Sequence, residues 1–289
     1  MPENIEFLSE GYILRGHLYR PAEAAGGARP GVVLCHGFAG VKELLVPRVA
    51  ERLAAAGLVA LTFDYRGFGA SEGRGPRIVP GEQAADIRNA LTYLGTLAGV
   101  DAARLGLWGT SYGGANAIAV AACDTRVKAL AVQITFADGQ QSVLGALSDG
   151  ERAKFLESLD KLWARAVTTG KEMLLPLPKM LSDPQSRAFY DQYRASCSAL
   201  EIKLPFLTVK ETLAQRPLLL MPHVRAPTHF TLAGRDLVNP PAGMRELHAA
   251  AQCAKALLEI PAAGHYDLYE EPHVATVATA QAQWFLQWL

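Results

Sequence analysis

The sequence predicts an α/β protein: a mostly parallel, doubly wound sheet carrying one mainly helical insertion. Three observations predict it. Short apolar runs recur without in/out alternation, segments of helical period separate them, and one stretch, residues 138–222, breaks the rhythm. Strands that are apolar on both faces belong in a parallel sheet covered by helices on each side. Their alternation with helices implies right-handed crossovers.

The elements follow in order. Ile5 to Leu8 and residues 12–20 read as an N-terminal antiparallel pair, followed by an Ala/Gly-rich turn at 22–30. The buried-strand runs are residues 31–35, 59–63, 104–108, 127–134, 229–233 and 256–260. Between them, residues 42–56 carry Leu44, Leu45, Val49 and Leu53 at helical spacing, with Gly57 as a stop. Residues 82–98 place Ala84, Ile87, Leu91 and Leu94 on one face, and residues 112–123 are Ala- and Gly-rich, suited to close packing under a strand. Residues 138–222 hold no buried-strand run. An amphipathic helix is expected at 150–166, with Phe155, Leu156, Leu159, Leu162, Trp163 and Ala166 on one side. So long a structureless loop does not fit a compact domain. The expectation is a core of residues 1–137 and 223–289 and a helical cap of residues 138–222.

Composition bounds the function. Half the residues are apolar and 28 Lys+Arg balance 28 Asp+Glu, so the chain is not largely disordered and its net charge favours neither nucleic acid nor an anionic membrane. Cys35, Cys123, Cys197 and Cys253 form no C-x-x-C pair, so free thiols are expected. No apolar run approaches the ~18 residues of a membrane span, and the N-terminus lacks the pattern of a signal peptide. These features predict a soluble cytoplasmic protein, and no metalloenzyme ligand spacing is apparent.

Parallel sheets place ligands at the carboxyl ends of their strands. One such end reads Gly109-Thr110-Ser111-Tyr112-Gly113, a G-x-S-x-G motif between a strand and a helix. A serine in that position needs a sharp turn to stand clear of the backbone, and flanking glycines remove the Cβ clashes. Its hydroxyl needs a base, and the base an orienting acid. Of seven histidines, His265 follows a strand at the correct edge; His229 begins a strand and so lies at the wrong edge. Asp236 follows the strand before it. Asp267 is the competitor, but two residues from His265 it is poorly placed to reach the ring's far nitrogen. The catalytic set is therefore Ser111, Asp236 and His265. The backbone N–H groups of Tyr112 and Phe38 are the expected oxyanion donors.

His36-Gly37-Phe38, Asp64-Tyr65-Arg66-Gly67-Phe68-Gly69-Ala70-Ser71, Gly109-Thr110-Ser111-Tyr112-Gly113-Gly114, Gly234-Arg235-Asp236 and Gly264-His265 occur in that order. Over residues 31–136 and 228–289 the chain resembles the α/β-hydrolase superfamily, in its dienelactone-hydrolase, acetyl-esterase and peptidase-like neighbourhood. The resemblance implies an eight-stranded sheet whose second strand is antiparallel, and a cofactor-free Ser–His–Asp mechanism through an acyl-enzyme. A carboxylic ester of a small, largely uncharged molecule is the expected substrate, with Phe38, Phe155, Trp163 and Phe206 as substrate contacts. The same triad serves thioesterases, amidases or peptidases, C–C bond hydrolases, and acyltransferases or perhydrolases. A non-enzymatic receptor module is the remaining alternative. The C-terminal Trp284, Phe285 and Trp288 are assigned either to the sheet or to a homodimer contact.

Overall fold

The computed structural model describes residues 2–22 and 27–289. The centre of the expected turn at 22–30 lies outside them. The strands are β1 (Glu3–Ser9), β2 (Tyr12–Tyr19), β3 (Arg29–Cys35), β4 (Val59–Phe63), β5 (Val100–Thr110), β6 (Val127–Gln133), β7 (Leu174–Pro176), β8 (Lys203–Pro205), β9 (Thr228–Ala233) and β10 (Lys255–Ile260). Eight of them form one sheet in the order β1-β2-β4-β3-β5-β6-β9-β10. β2 pairs antiparallel with both neighbours, and every later pair in this sheet is parallel. β7 and β8 form a separate two-stranded ribbon.

The helices are α1 (Val46–Ala55), α2 (Pro80–Thr96), α3 (Tyr112–Ala121), α4 (Gly139–Leu144), α5 (Asp149–Thr169), α6 (Leu177–Met180), α7 (Pro184–Tyr193), α8 (Thr208–Ala214), α9 (Pro217–Leu220), α10 (Pro241–Ala250) and α11 (His273–Trp288). They build two layers. Val49 and Leu53 of α1 and Val277 and Phe285 of α11 share an apolar cluster with Leu34 and Trp108. Ile87 and Leu91 of α2, Ile118 of α3 and Leu247 of α10 pack with Val33, Leu61 and Leu107 on the other face. Leu107 and Trp108 are adjacent and both inaccessible to water, one in each cluster. This is why the strand reads as a continuous apolar run. Phe285 packs on the sheet beside Gly106, where a Cβ would come within 2.8 Å of its ring.

Three differences from the sequence reading have physical causes. The first helix starts at Val46 rather than 42, because Leu45 sits at φ 67° and Lys42 is held by Asp64. β10 alternates between exposed and half-buried residues, because it is the sheet's edge and one face stays wet. α5 opens with a capping box at Ser148 and Glu151 and ends at left-handed Gly170, yet Leu159 is its sole fully buried residue. Its apolar positions are helical in period but only partly covered.

Buried charge braces the loops. Lys42, 4% exposed, donates from both its backbone N–H and its ammonium to Asp64, each at 2.7 Å, and Asp64 is fully buried. Arg66 grips the fully buried Asp86 through its Nε and Nη2 atoms. The Asp64–Ser71 segment is thus a structural clamp. Removing one partner of such a pair leaves a bare buried charge, so Lys42→Met is expected to lower unfolding stability by about 3–5 kcal/mol in urea titrations.

His229 is buried beside Trp284, and burial pushes its pKa down to about 4 from 6.5. Between those values the unfolded chain binds a proton that the folded chain rejects. Stability is therefore complete above pH 6.5 and declines as pH falls toward 4, by on the order of 3 kcal/mol from this group. His229→Gln is expected to flatten that decline in denaturation midpoints measured across the window.

Candidate active site

The chain reverses its direction of travel across the sheet at β3: β4 lies on one side of it and β5 on the other. Ligand crevices form at such switch points, at the carboxyl ends of the strands. The loop after β3 carries Phe38, and the turn after β5 carries Ser111.

Ser111 has φ 51° and ψ −125°, a sparsely populated backbone conformation for a non-glycine residue. The glycines around it are required by contact. A Cβ on Gly113 would lie 2.2 Å from the Cys35 carbonyl oxygen, and one on Gly109 2.6 Å from that of Gly113. A Cβ on Gly37 would come 3.2 Å from the Ser111 Cβ. Ser111 occupies the N-cap position of α3 but its hydroxyl makes no capping bond. That hydroxyl instead accepts a hydrogen bond from Asn239 Nδ2 at 3.3 Å.

β9 and β10 are neighbours in register, so their carboxyl-end loops meet. There the Nδ1 atom of His265 and Oδ2 of Asp236 are 2.7 Å apart, and both residues are buried. Asp236 Oδ1 accepts the backbone N–H groups of Val238 and Asn239, each at 2.8 Å. Asp267 does not face the ring; it accepts the Gly264 N–H at 2.7 Å within its own loop. No hydrogen bond joins His265 to Ser111 among the described residues, although both border one cavity. Such bonds commonly tighten only when substrate is present.

The cavity has a volume of about 550 Å³. Core residues Phe38, Ser111 and His265 line it together with Phe155, Leu177 and Phe206 from between β6 and β9. The backbone N–H groups of Phe38 and Tyr112 find no acceptor among the described residues. Burial pushes the hydroxyls of Tyr112 and Tyr266 up to about 12, so both stay neutral. His36 is buried edge-on to Tyr65, its Nδ1 beside the Gly37 carbonyl, and burial lowers its pKa. It shapes the Phe38 loop as a neutral ring.

One expected substrate contact is corrected. Trp163 does not border the cavity; it is 50% exposed and lies beneath the Lys210 ammonium. Phe155, on the same helix, faces inward against Phe206, with ring centroids 6.0 Å apart.

Two site residues escaped the sequence reading. Asn239 follows Asp236 in an ordinary-looking Asp-Leu-Val-Asn-Pro stretch. Gln185, on α7, accepts the N–H groups of Leu237 and His265, both at 3.1 Å, and donates to the Arg235 carbonyl at 2.9 Å. It ties the acid loop to the histidine loop across 50 and 80 residues of chain. Only distance in sequence hid it.

The chain belongs to the α/β-hydrolase-fold family, whose model matches residues 30–272. It is 41% identical over 257 residues to an Escherichia coli 31.7 kDa protein of the traX-finO intergenic region, covering 89% of this chain and 90% of that one. It is 28% identical over 275 residues to the quorum-quenching protein AidA of Acinetobacter baumannii, covering 93% of this chain and 89% of the relative. The solved structure of DcsB in complex with its substrate analogue superposes with a TM-score of 0.86 at 24% identity, covering 100% and 99% of the two chains. At that identity the likeness concerns the fold.

Gln185→Ala removes three hydrogen bonds at a partly hydrated position. It is expected to cost about 1–2 kcal/mol of unfolding stability in denaturant titrations.

Proposed function

We propose that this protein is a serine hydrolase that cleaves a carboxylic ester of a small, largely uncharged substrate through an acyl-enzyme. One arrangement carries the reading: Ser111, raised on a strained turn, opens onto the same cavity as a His265 whose Nδ1 is held by Asp236.

The geometry supports a role for each residue. With Nδ1 engaged by Asp236, Nε2 of His265 is the nitrogen left to accept the Ser111 proton. Ser111 Oγ attacks the ester carbonyl. The unpartnered N–H groups of Phe38 and Tyr112 receive the oxyanion, and the N-terminus of α3 favours its charge. His265 then passes the proton to the departing alcohol. Water then attacks the acyl carbon as His265 takes its proton, and His265 returns that proton to Ser111 Oγ as the acid leaves. Asp236 holds the ring's orientation and stabilises its charged form throughout.

The elements between β6 and β9 act as a cap on this reading, and their inward side chains select the substrate. Phe155 and Phe206 from the cap, with Phe38 and Phe136 from the core, offer aromatic surface to an apolar acyl or alcohol group.

Ser111→Ala and His265→Ala are each expected to lower kcat/KM on short p-nitrophenyl esters by about 10⁴-fold or more. A fluorophosphonate probe should label the folded wild-type chain at Ser111, as located by peptide mass spectrometry. Near-wild-type turnover by Ser111→Ala would overturn the assignment.

A further inference from the structure

We infer that Asn239 is a catalytic residue whose side-chain amide donates to Ser111 Oγ and stabilises the charge that builds there during acyl transfer. The inference rests on the reading of Ser111 as the nucleophile.

The amide's orientation is dictated by its other partner. Nδ2 lies 2.8 Å from the Ile134 carbonyl oxygen and 3.3 Å from Ser111 Oγ. A carbonyl only accepts, so the nitrogen end must face it, and the second hydrogen of the same NH₂ group serves Ser111. Asn239 is 5% exposed, so water competes little for these bonds.

Two further features hold it. Its backbone N–H donates to Asp236 Oδ1, while Oδ2 of the same carboxylate holds His265. One acid therefore positions both the base and this donor. Ile134 sits at φ 45°, a left-handed conformation that is costly for a β-branched residue. In that conformation its N–H reaches the Thr231 carbonyl at 2.9 Å and its own carbonyl meets Asn239. Backbone strain just past β6 is used to aim an amide at the nucleophile.

A serine hydroxyl has one donor hydrogen and two acceptor sites. Asn239 occupies an acceptor site and leaves the hydrogen free for His265. As that proton departs, Oγ becomes negative and the N–H···O bond strengthens. An interaction stronger in the transition state than in the ground state raises kcat. Charge returns to Oγ when the acyl-enzyme is hydrolysed and Ser111 leaves, so both half-reactions benefit. At 3.3 Å the bond is long, and its effect should fall below the 10²–10³-fold of an oxyanion-hole donor, at about 10–100-fold.

The test compares wild type, Ser111→Ala, Asn239→Ala and Asn239→Asp. It measures kcat and KM on p-nitrophenyl acetate and butyrate, second-order labelling by a fluorophosphonate, and thermal melting. Asn239→Ala should melt cooperatively, lose about 10–100-fold in kcat with KM within about 3-fold, and label more slowly in parallel. Asn239→Asp, nearly isosteric, replaces the donor with an acceptor and should lose at least as much; it serves if the alanine variant fails to fold. A folded Asn239 variant with kcat and labelling within about 3-fold of wild type overturns the inference, and an inactive Ser111→Ala beside it leaves the hydrolase reading intact. An active Ser111→Ala overturns both.

Discussion

The strained turn between β5 and α3 is the constraint on which the rest depends. A residue held at φ 51° and ψ −125° costs on the order of 1–3 kcal/mol unless its surroundings permit nothing else. Here they permit nothing else. β5 is fixed between β3 and β6, α3 is buried along nearly its whole length, and Gly113 lies against the carbonyls of Cys35 and His36. The same contact brings the loop after β3 against the turn. Phe38 and Tyr112 therefore border one cavity, a close approach that the missing side chain of Gly113 permits.

That loop needs a brace of its own, since a glycine-rich segment has much conformational freedom to lose. The brace is electrostatic. Lys42, two residues past Gly40, is anchored twice to Asp64 after β4. Asp64 also accepts the Ala70 N–H, and Ser71 donates to the Asp64 carbonyl. A Cβ on Gly69 would strike this carboxylate at 2.3 Å. The Asp64–Ser71 motif thus acts at one remove, closing a charged clamp around the base of the Phe38 loop. Both oxygens of the Asp64 carboxylate accept hydrogen bonds and one faces an ammonium, which is the condition for burying a charge at tolerable cost.

The sequence made the sheet legible because burial on both faces leaves a mark in every residue of β4 and β9 and in all of β3 past Arg29. That Asp236 rather than Asp267 would pair with His265 was legible for a related reason: adjacent parallel strands deliver their loops side by side. Periodicity was less informative where the core is thin. α5 repeats apolar residues at helical spacing, but its small contact area covers Leu159 and leaves Trp163 in water. The pattern specifies a helix without saying how much of its face is covered. Asn239 and Gln185 were illegible for a different reason. Their partners are 128, 105, 80 and 50 residues away, and an amide in a loop has no periodic signature.

The polar bonds between the inserted elements and the core are arranged unevenly, and the arrangement has a consequence. α7 is tied down by Gln185, by Ser186 to Tyr266, by Tyr193 to Glu270, and by Phe189 stacked on Tyr266 at 4.3 Å. Gln215, just past α8, reaches Asn116 on α3. α5 has no hydrogen bond of this kind among the described residues; its inward hold is Leu159 and the contact of Phe155 with Phe206. Hydrogen bonds specify distance and direction, whereas apolar contact is non-directional. The elements that adjoin the acid and histidine loops are thus positioned by directional bonds, and the helix that presents Phe155 to the cavity is positioned by packing. Directional bonds in this structure are concentrated around the Asp236 and His265 loops, and the apolar wall opposite rests on the interaction that best tolerates a change of shape.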